Sequence, residues 1–599
     1  MWRIAQALPK LKSARLPHTL IVLDTETHVN TDDDGNMTFP FRLGVAKIIR
    51  LTSEMLVESE ETYRFISTED FVNVLTIAAR FRHTVYAFAH NIGFDIRVLN
   101  LPGYIDGLGI ENKPPIVNNR IFMWRIKLGR TTIEFLDTAN LGVTSVAALG
   151  KSLGREKTEV DFDTVPNEEL YIYCQNDVEI IEEFILAYLR LIYTNDLGSF
   201  RMTVASQSFT TYRYKFMRRQ PHIHLDESAL KLERDGYYGG RTECFFIGEL
   251  PDENYSYVDI NSLYPYVMKH GEMPYLFRGF SVNVAVPLLA ARLANYYVIA
   301  DVDLTTNEQR YPVRHEGRLC FPIGNIRTVL HHDNLLHALE NGDIAKIHRC
   351  AVYEKGVLFA DYVDFFNQLK ERYTQENRPA WREVVKLYMN SLYGKFGQQG
   401  YNTTYLGKID PGYIKRVPIF TKGSEERYQL LSWYGKLYKE GRGGESIYSC
   451  PAIAGAVSAK ARLVLWDMIT QAGQSNVFYC DTDSLFLNRS GFANLLSYIH
   501  PTKLGLLKLD KKTTHVVIHG NKDYVFGRTI RKKGVPSKAR ILSPSSWEYI
   551  QFASFVSWLN KGGIGGATGK MTIKQRRSSY LKGEVQEDGS VKPLVLEMW

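Results

Sequence analysis

Three apolar runs in this chain break off into carboxylates: "LIVLDTET" at Leu20–Thr27, "YSYVDINS" at Tyr255–Ser262 and "VFYCDTDSLF" at Val477–Phe486. Runs of β-branched and aromatic residues are driven into a core as strands, so each delivers acids to the end of a buried strand. The last reads as two short buried strands folded back at Asp481-Thr482-Asp483. Taken alone it is a polar hairpin tip. Two carboxylates held that close repel each other unless a cation lies between them.

A chain of 599 residues is too long for one core and implies two to four domains. Hydrophobic residues at 45% and charged residues at 23% fit a globular protein and exclude a disordered or fibrous one. The net charge of +8 is mild, but basic residues bunch in "YRYKFMRR", "RTIRKK" and "KQRR", and many of the 36 tyrosines lie beside cations. Both features suit a polyanion partner whose bases stack on aromatic rings, and both suit a solvated basic surface equally well. The six cysteines, Cys174, Cys244, Cys320, Cys350, Cys450 and Cys480, are scattered without a C-x-x-C pair. Neither a zinc site nor a disulfide framework is expected, which points to a reducing compartment, cytoplasmic or host-cell cytoplasmic. No stretch is apolar enough to span a membrane. The basic, acid-free start reads as an arm, with a faint likeness to an organellar transit peptide.

Strand and helix patterns alternate from Leu20 to Leu189, giving an α/β domain. "TVYAFAHNIGFDIRVL" predicts a strand, a Gly-containing turn and a helix, and "NEELYIYCQNDVEIIEEFILAYLRLIY" a long helix. Two helical stretches flank "ENRPA", whose proline makes them a hairpin over residues 361–396. Small strands are expected at 397–447, and a hairpin turning at Asp588-Gly589. "GGIGGATGKM" fails as a phosphate loop, with Ile564 and Met571 in the wrong places, and reads as a linker.

Asp24 and Glu26 stand two apart and leave one face of a strand end. Asp95 follows in "HNIGFD", and Asp177 lies one helical turn beyond Tyr173. Carboxylates from several elements of one domain suit a pair of hard cations, Mg²⁺ or Mn²⁺, and such a pair serves phosphoryl displacement. Asp259 would join Asp483 in a second such site, where the turn at Ser262-Leu263-Tyr264-Pro265 offers backbone N–H groups to phosphate. In "WREVVKLYMNSLYGKFG", Arg382, Lys386, Asn390 and Tyr393 fall on one helix face, so two cations meet triphosphate charge and Tyr393 packs on a nascent base pair.

Together these motifs carry a resemblance. "DTE", "N-x-x-F-D" and "Y-x-x-x-D" resemble the DEDD 3′→5′ exonucleases that precede family B DNA polymerases, and "DINSLYP", "KLYMNSLYGKFG" and "YCDTDS" resemble those polymerases' three catalytic motifs. The variants "SLYP" and "NSLYGKFG" are similar to the protein-primed, phi29-type subgroup. The resemblance implies an RNase H-like exonuclease domain followed by a right-hand palm, fingers and thumb, in an α/β and α+β multidomain chain. It makes Asp24, Glu26, Asp95 and Asp177 metal acids with Tyr173 and Lys157 supporting. It sets Thr27, Asn91 and Phe94 on a single-stranded 3′ end, and leaves the role of Thr138 open because Ala139 replaces the usual leucine. In the polymerase half it makes Asp259 and Asp483 metal ligands and Asp481 a supporting acid, gives Arg382, Lys386, Asn390 and Tyr393 to the nucleotide, and has Tyr264 exclude a ribose 2′-OH. Tyr237, Gly239 and Gly240 of "YYGG" and Lys522 and Tyr524 of "KDY" would handle primer and template.

The implied layout is an exonuclease over residues 1–195, a linker and palm start over 196–271, a priming-protein-contacting insertion over 272–358 and fingers over 359–396. A DNA-encircling insertion over 397–447, palm over 448–526 and thumb with C-terminal segment over 527–599 complete it. The expected activity is templated DNA synthesis with proofreading, Mg²⁺ or Mn²⁺ at both sites, and template, primer, dNTPs and a terminal protein as partners of a monomer. The rivals are a primer-independent polymerase, a nuclease with an inactive polymerase half, and a non-catalytic DNA-binding module.

Overall fold

The structure is a computed structural model. It describes residues 3–81, 83–117, 121–143, 145–155, 161, 164–251, 253–410, 414–420, 427–562, 566–576 and 579–599. Lys157 lies outside the described residues, as does the centre of the glycine-rich segment, 563–565.

The N-terminal third is a mixed sheet between helices. Thr19–Thr27 sits at its centre, antiparallel to Phe41–Leu51 and parallel to Val85–Ala89, which runs parallel to Thr131–Asp137. Strands at such a centre are covered on both faces, and Leu20 to Leu23 are indeed 1% exposed or less. The helix Thr68–Ala79 packs into the core of one face and the 28-residue helix Asn167–Thr194 into that of the other. One expectation changes in detail. The turn before Ile92–Val98 is made by Asn91, in a left-handed conformation at φ 60°, while Gly93 lies inside the helix. A Cβ at Gly93 would stand 3.3 Å from the Phe122 ring, a tight contact.

The other two acid-bearing runs lie side by side. An antiparallel sheet is ordered Thr242–Cys244, Val477–Asp481, Ser484–Leu487, Tyr255–Ile260, Leu507–Thr513. The predicted helical hairpin is Ala360–Gln375 and Pro379–Phe396, with Pro379 in the first turn of the second helix. Its core is continuous with the N-terminal domain: Trp381 stacks on Phe184 at 5.6 Å, and the Tyr388 hydroxyl donates to that of Tyr188 at 3.1 Å.

Between motif and hairpin, residues 273–356 form a separate sheet, with Val286–Asn295 and His332–Glu340 in its apolar cluster. Beyond the hairpin, four strands from Gln399 to Glu445 make a small sheet. Its Trp433 is 1% exposed, joins the N-terminal core, and donates to Asn112 Oδ1 at 2.6 Å.

Two pairings join the C-terminal segment to distant parts of the chain. The C-terminal strands Arg540–Ser543, Ser546–Phe552 and Thr568–Gln575 extend onto Asn36–Thr38, a hairpin of the N-terminal domain. The glycine-rich "linker" therefore becomes strand from Thr568 onward. The final strand, Val595–Glu597, leaves that sheet and pairs in parallel with Ile323–His331 of the first insertion. Both are long-range edge pairings, which local pattern does not encode.

Candidate active sites

The opening acids meet as a result of register. Asp259 pairs across the sheet with Ser484, and Ile260 N–H donates to the Asp483 carbonyl at 2.7 Å. Thr482, between Asp481 and Asp483, takes a left-handed φ of 64° and donates its N–H to the Arg241 carbonyl at 2.7 Å. Ser262, opening the helix Leu263–His270, is likewise left-handed at φ 51°. Such strained backbone persists where surrounding contacts overdetermine it, and functional sites collect it. Burial, then the neighbouring Asp259 and Asp481, pushes the Asp483 carboxyl up to about 7, and burial pushes Asp259 up to about 6. Two half-buried carboxyls that repel each other are a donor pair whose charge a hard cation would offset.

Asp481 is placed differently. Lys522 Nζ donates to both its oxygens at 2.8 and 3.0 Å, and the Thr242 hydroxyl donates at 2.9 Å. It is engaged by these neighbours and is not among the residues that line the cavity with Asp259 and Asp483.

Asp259 and Asp483 line a cavity of about 860 Å³ with Tyr264, Arg382, Lys386 and Asn390. Three of the four hairpin residues singled out in sequence thus face the acids. The fourth, Tyr393, stacks on Tyr264 with ring centroids 4.9 Å apart and planes 7° apart, so the two tyrosines form one rigid wall. Gly240 underlies that wall. A Cβ there would stand 3.1 Å from the Tyr264 hydroxyl and 3.0 Å from the Thr482 side chain. Arg462, 4% exposed, holds the loop by donating to the carbonyls of Tyr238 and Gly239 at 3.0 and 2.8 Å.

Sequence reasoning missed Lys370. Its Nζ donates to Ser262 Oγ at 3.0 Å on the cavity wall, and burial, with Arg382 and Lys386 nearby, lowers its proton affinity. The available signal was Lys370 and Thr374 one turn apart on the polar side of an amphipathic helix. Tyr524, expected on DNA, is only 6% exposed and packs against Phe486 and Tyr479 at 4.9 and 5.3 Å. Its placement anchors the Lys522 turn.

The N-terminal acids form a second group. Donor atoms of Asp24, Glu26 and Cys174 lie within 4.8 Å of one another, and Asp177 adds its charge to theirs on the Cys174 thiol, whose proton affinity burial raises. Tyr173 is buried on the same helix. Asp95 sits on the Thr25 side of the strand: the Thr25 hydroxyl donates to it at 2.6 Å, and burial, with Asp137 adding, pushes it up to about 7. Asn91 and Phe94 line a cleft of about 370 Å³ with Arg97 and Asp137, closed on its far wall by Phe552–Val556. Thr27 ends the central strand. Thr138 is fully buried, and its hydroxyl bonds the His90 ring at 2.9 Å.

The family model for "DNA polymerase type B, organellar and viral" matches residues 154–410. The chain is 25% identical to a probable DNA polymerase of Neurospora intermedia over 53% of its own length and 34% of the relative's. It is 24% identical to the DNA-directed DNA polymerase of Enterobacteria phage PRD1 over 77% and 76%. By these matches the chain is similar to type B DNA polymerases. It spans about a third of the length of the first fungal relatives it matches. Its fold is similar to phi29 DNA polymerase complexed with primer-template DNA and incoming nucleotide substrates, with a TM-score of 0.61 and 17% identity over 85% of this chain and 88% of that one.

The layout expected from the sequence would name the sheet carrying Asp259 and Asp483 the palm, the helical hairpin the fingers, and Ser546–Phe552 with Thr568–Gln575 the thumb. No helix among the described residues is long and apolar enough to cross a membrane.

Proposed function

We propose that this chain is a DNA-dependent DNA polymerase with an intrinsic 3′→5′ exonuclease. The observation that carries the reading is the meeting of Asp259 and Asp483 in one cavity opposite Arg382, Lys386 and Lys370. The fit to hard divalent cations rests on the carboxylate donors and their raised proton affinities. Asp259 and Asp483 would hold Mg²⁺ or Mn²⁺, which when bound activates the 3′-OH and neutralises the triphosphate.

The chain's own residues do the rest. Arg382, Lys386 and Lys370 bind the β- and γ-phosphates, and Asn390 lines the same pocket. The stacked Tyr264–Tyr393 wall closes on the sugar edge and rejects a 2′-OH by lack of space. Lys522 keeps Asp481 engaged and its ammonium near the primer terminus. The Tyr237–Gly240 loop, fixed by Arg462, lets a strand approach the palm where a side chain at Gly240 would intrude.

The N-terminal acids serve hydrolysis of a single-stranded 3′ end, with Asn91 and Phe94 gripping the strand and Tyr173 orienting water. Asp95, which accepts from the Thr25 hydroxyl, belongs to that set only by the sequence resemblance. Template, primer and dNTPs are the partners, and the sheet at 273–356 is the docking face for a terminal protein whose hydroxyl starts synthesis. The 399–445 sheet, which bridges to the N-terminal domain through Trp433, would encircle DNA and support strand displacement.

The test is extension of a primed circle, with and without a blocking strand ahead. Asp483→Ala abolishes extension and spares trimming of single strands. Asp24→Ala with Asp95→Ala does the reverse. Extension that survives Asp483→Ala refutes the assignment.

A further inference from the structure

Lys522 reaches Asp481 from a turn that is gripped on its other side. The turn joins Val516–Gly520 to Asp523–Phe526, and Lys522 occupies a left-handed conformation at φ 61° within it, its N–H donating to the Tyr479 hydroxyl at 3.0 Å. The next side chain, Asp523, receives Arg576 in a two-pronged contact, Nε to Oδ2 at 3.0 Å and Nη2 to Oδ1 at 3.2 Å. Both side chains are largely covered, at 13% and 16% exposure. Arg576 follows the thumb strand Thr568–Gln575 directly. Its guanidinium lies 5.0 Å from the centroid of the Trp547 ring, and its Nη1 donates to the Pro544 carbonyl at 3.2 Å.

We infer that Asp523 and Arg576 are a positioning pair that transmits the placement of the thumb to Lys522, and through it to Asp481. The inference deepens the polymerase reading and rests on it. A bidentate guanidinium–carboxylate contact fixes orientation as well as distance, and only one peptide separates it from the lysine. Lys522 holds a backbone conformation that L-residues leave readily when support is removed. Seating of duplex against the thumb therefore sets the ammonium at the primer terminus, so DNA affinity and the catalytic turn are linked by one ion pair.

The test uses the full chain carrying Arg576→Gln and Asp523→Asn, singly and together, in steady-state extension with primer–template and dNTP varied separately. The apparent KM for primer–template rises about tenfold for each single variant, while that for dNTP moves less than about twofold. The double variant is no worse than the poorer single, the signature of one shared interaction. In a Lys522→Ala background, Arg576→Gln adds nothing further. Multiplicative effects, an equal rise in both KM values, or a full additional loss in the Lys522→Ala background overturns the inference and leaves Arg576 as a support of thumb folding alone. Single variants that match the parent overturn it too. A parent that extends no primed DNA overturns the polymerase reading, and the inference with it, whereas an active parent with indifferent variants sinks only the inference.

Discussion

Replacing Asp483 by Asn separates the electrostatics of the palm from its chemistry. In the metal-free protein the Asp483 carboxyl is pushed from its usual 3.8 to about 7 by burial and by Asp259 and Asp481. A folded-state value above the unfolded one means that the native protein holds this proton more tightly than the unfolded chain. The resulting stability is fully present below pH 3.8 and is lost as pH rises through 7. At ~1.4 kcal/mol per pKa unit the loss amounts to roughly 4 kcal/mol by pH 8. Asp259, pushed up to about 6, shares part of this repulsion, so the two shifts do not add. The Asn variant carries no such charge. In EDTA at pH 8 its palm should be more stable than the parent's by a few kcal/mol; the gap should shrink by more than half at pH 5 and close only near pH 3.8, where the carboxyl is protonated in the folded and unfolded states alike. Since a chain of several domains does not unfold in two states, the assay is hydrogen exchange of Tyr255–Ile260 and Ser484–Leu487, read as opening free energies at each pH. Adding Mg²⁺ at pH 8 should rescue the parent and leave the variant nearly unmoved. An Asn variant no more stable than the parent at pH 8, or an advantage that persists undiminished at pH 5, refutes the reasoning.

Trp433→Phe keeps the ring in its pocket but leaves buried Asn112 Oδ1 without its donor. It should cost about 1–3 kcal/mol at the joint between the 399–445 sheet and the N-terminal domain, seen as earlier proteolysis within that sheet. Gly44→Ala would drive a Cβ into the Phe65 ring across the paired strand Val57–Phe65, and should lower stability by about 1–3 kcal/mol in thermal denaturation. Tyr264→Ala opens the wall shared with Tyr393, and ribonucleotide incorporation should rise at least about tenfold relative to deoxynucleotide in single-turnover extension. An unchanged ratio would remove Tyr264 from sugar selection.

What was legible in the sequence was what local pattern controls. The apolar runs that end in Asp24, Asp259 and Asp481 are strands because their side chains have nowhere else to go. The face shared by Arg382, Lys386 and Asn390 follows from helical geometry, and all three line one cavity. The rest was hidden where partners are chosen at long range. Nothing near Thr568–Gln575 announces that its edge is completed by Asn36–Thr38, more than five hundred residues away in sequence. Lys370 was masked by the apolar stripe of its own helix, Phe366 and Leu369 among it. Tyr524 was given to primer handling and Tyr393 to a base pair because motifs specify identity, whereas the packing of Tyr524 under Phe486 and of Tyr393 on Tyr264 is set by what the fold lays beside them.

These long-range joints constrain how the two proposed sites work together. The N-terminal domain is fastened to the fingers by Phe184 on Trp381 and Tyr188 on Tyr388, to the 399–445 sheet by Trp433, and to the thumb by backbone pairing of Thr38 with Thr568. Arg97, beside Asp95 in the helix sequence, adds a fourth tie by donating to the thumb carbonyl of Ala553 at 2.7 Å. Buried aromatic stacks and ladder hydrogen bonds do not slide by degrees, because a packed interface is kept or lost as a unit. A primer end passing from the Asp483 cavity to the Asp24 group therefore has to travel across a fixed frame, and the work of transfer falls on fraying the DNA rather than on swinging a domain. A mismatched terminus frays more easily than a paired one, so in this scheme discrimination between extending and trimming resides in the DNA duplex, and the protein supplies two stationary destinations.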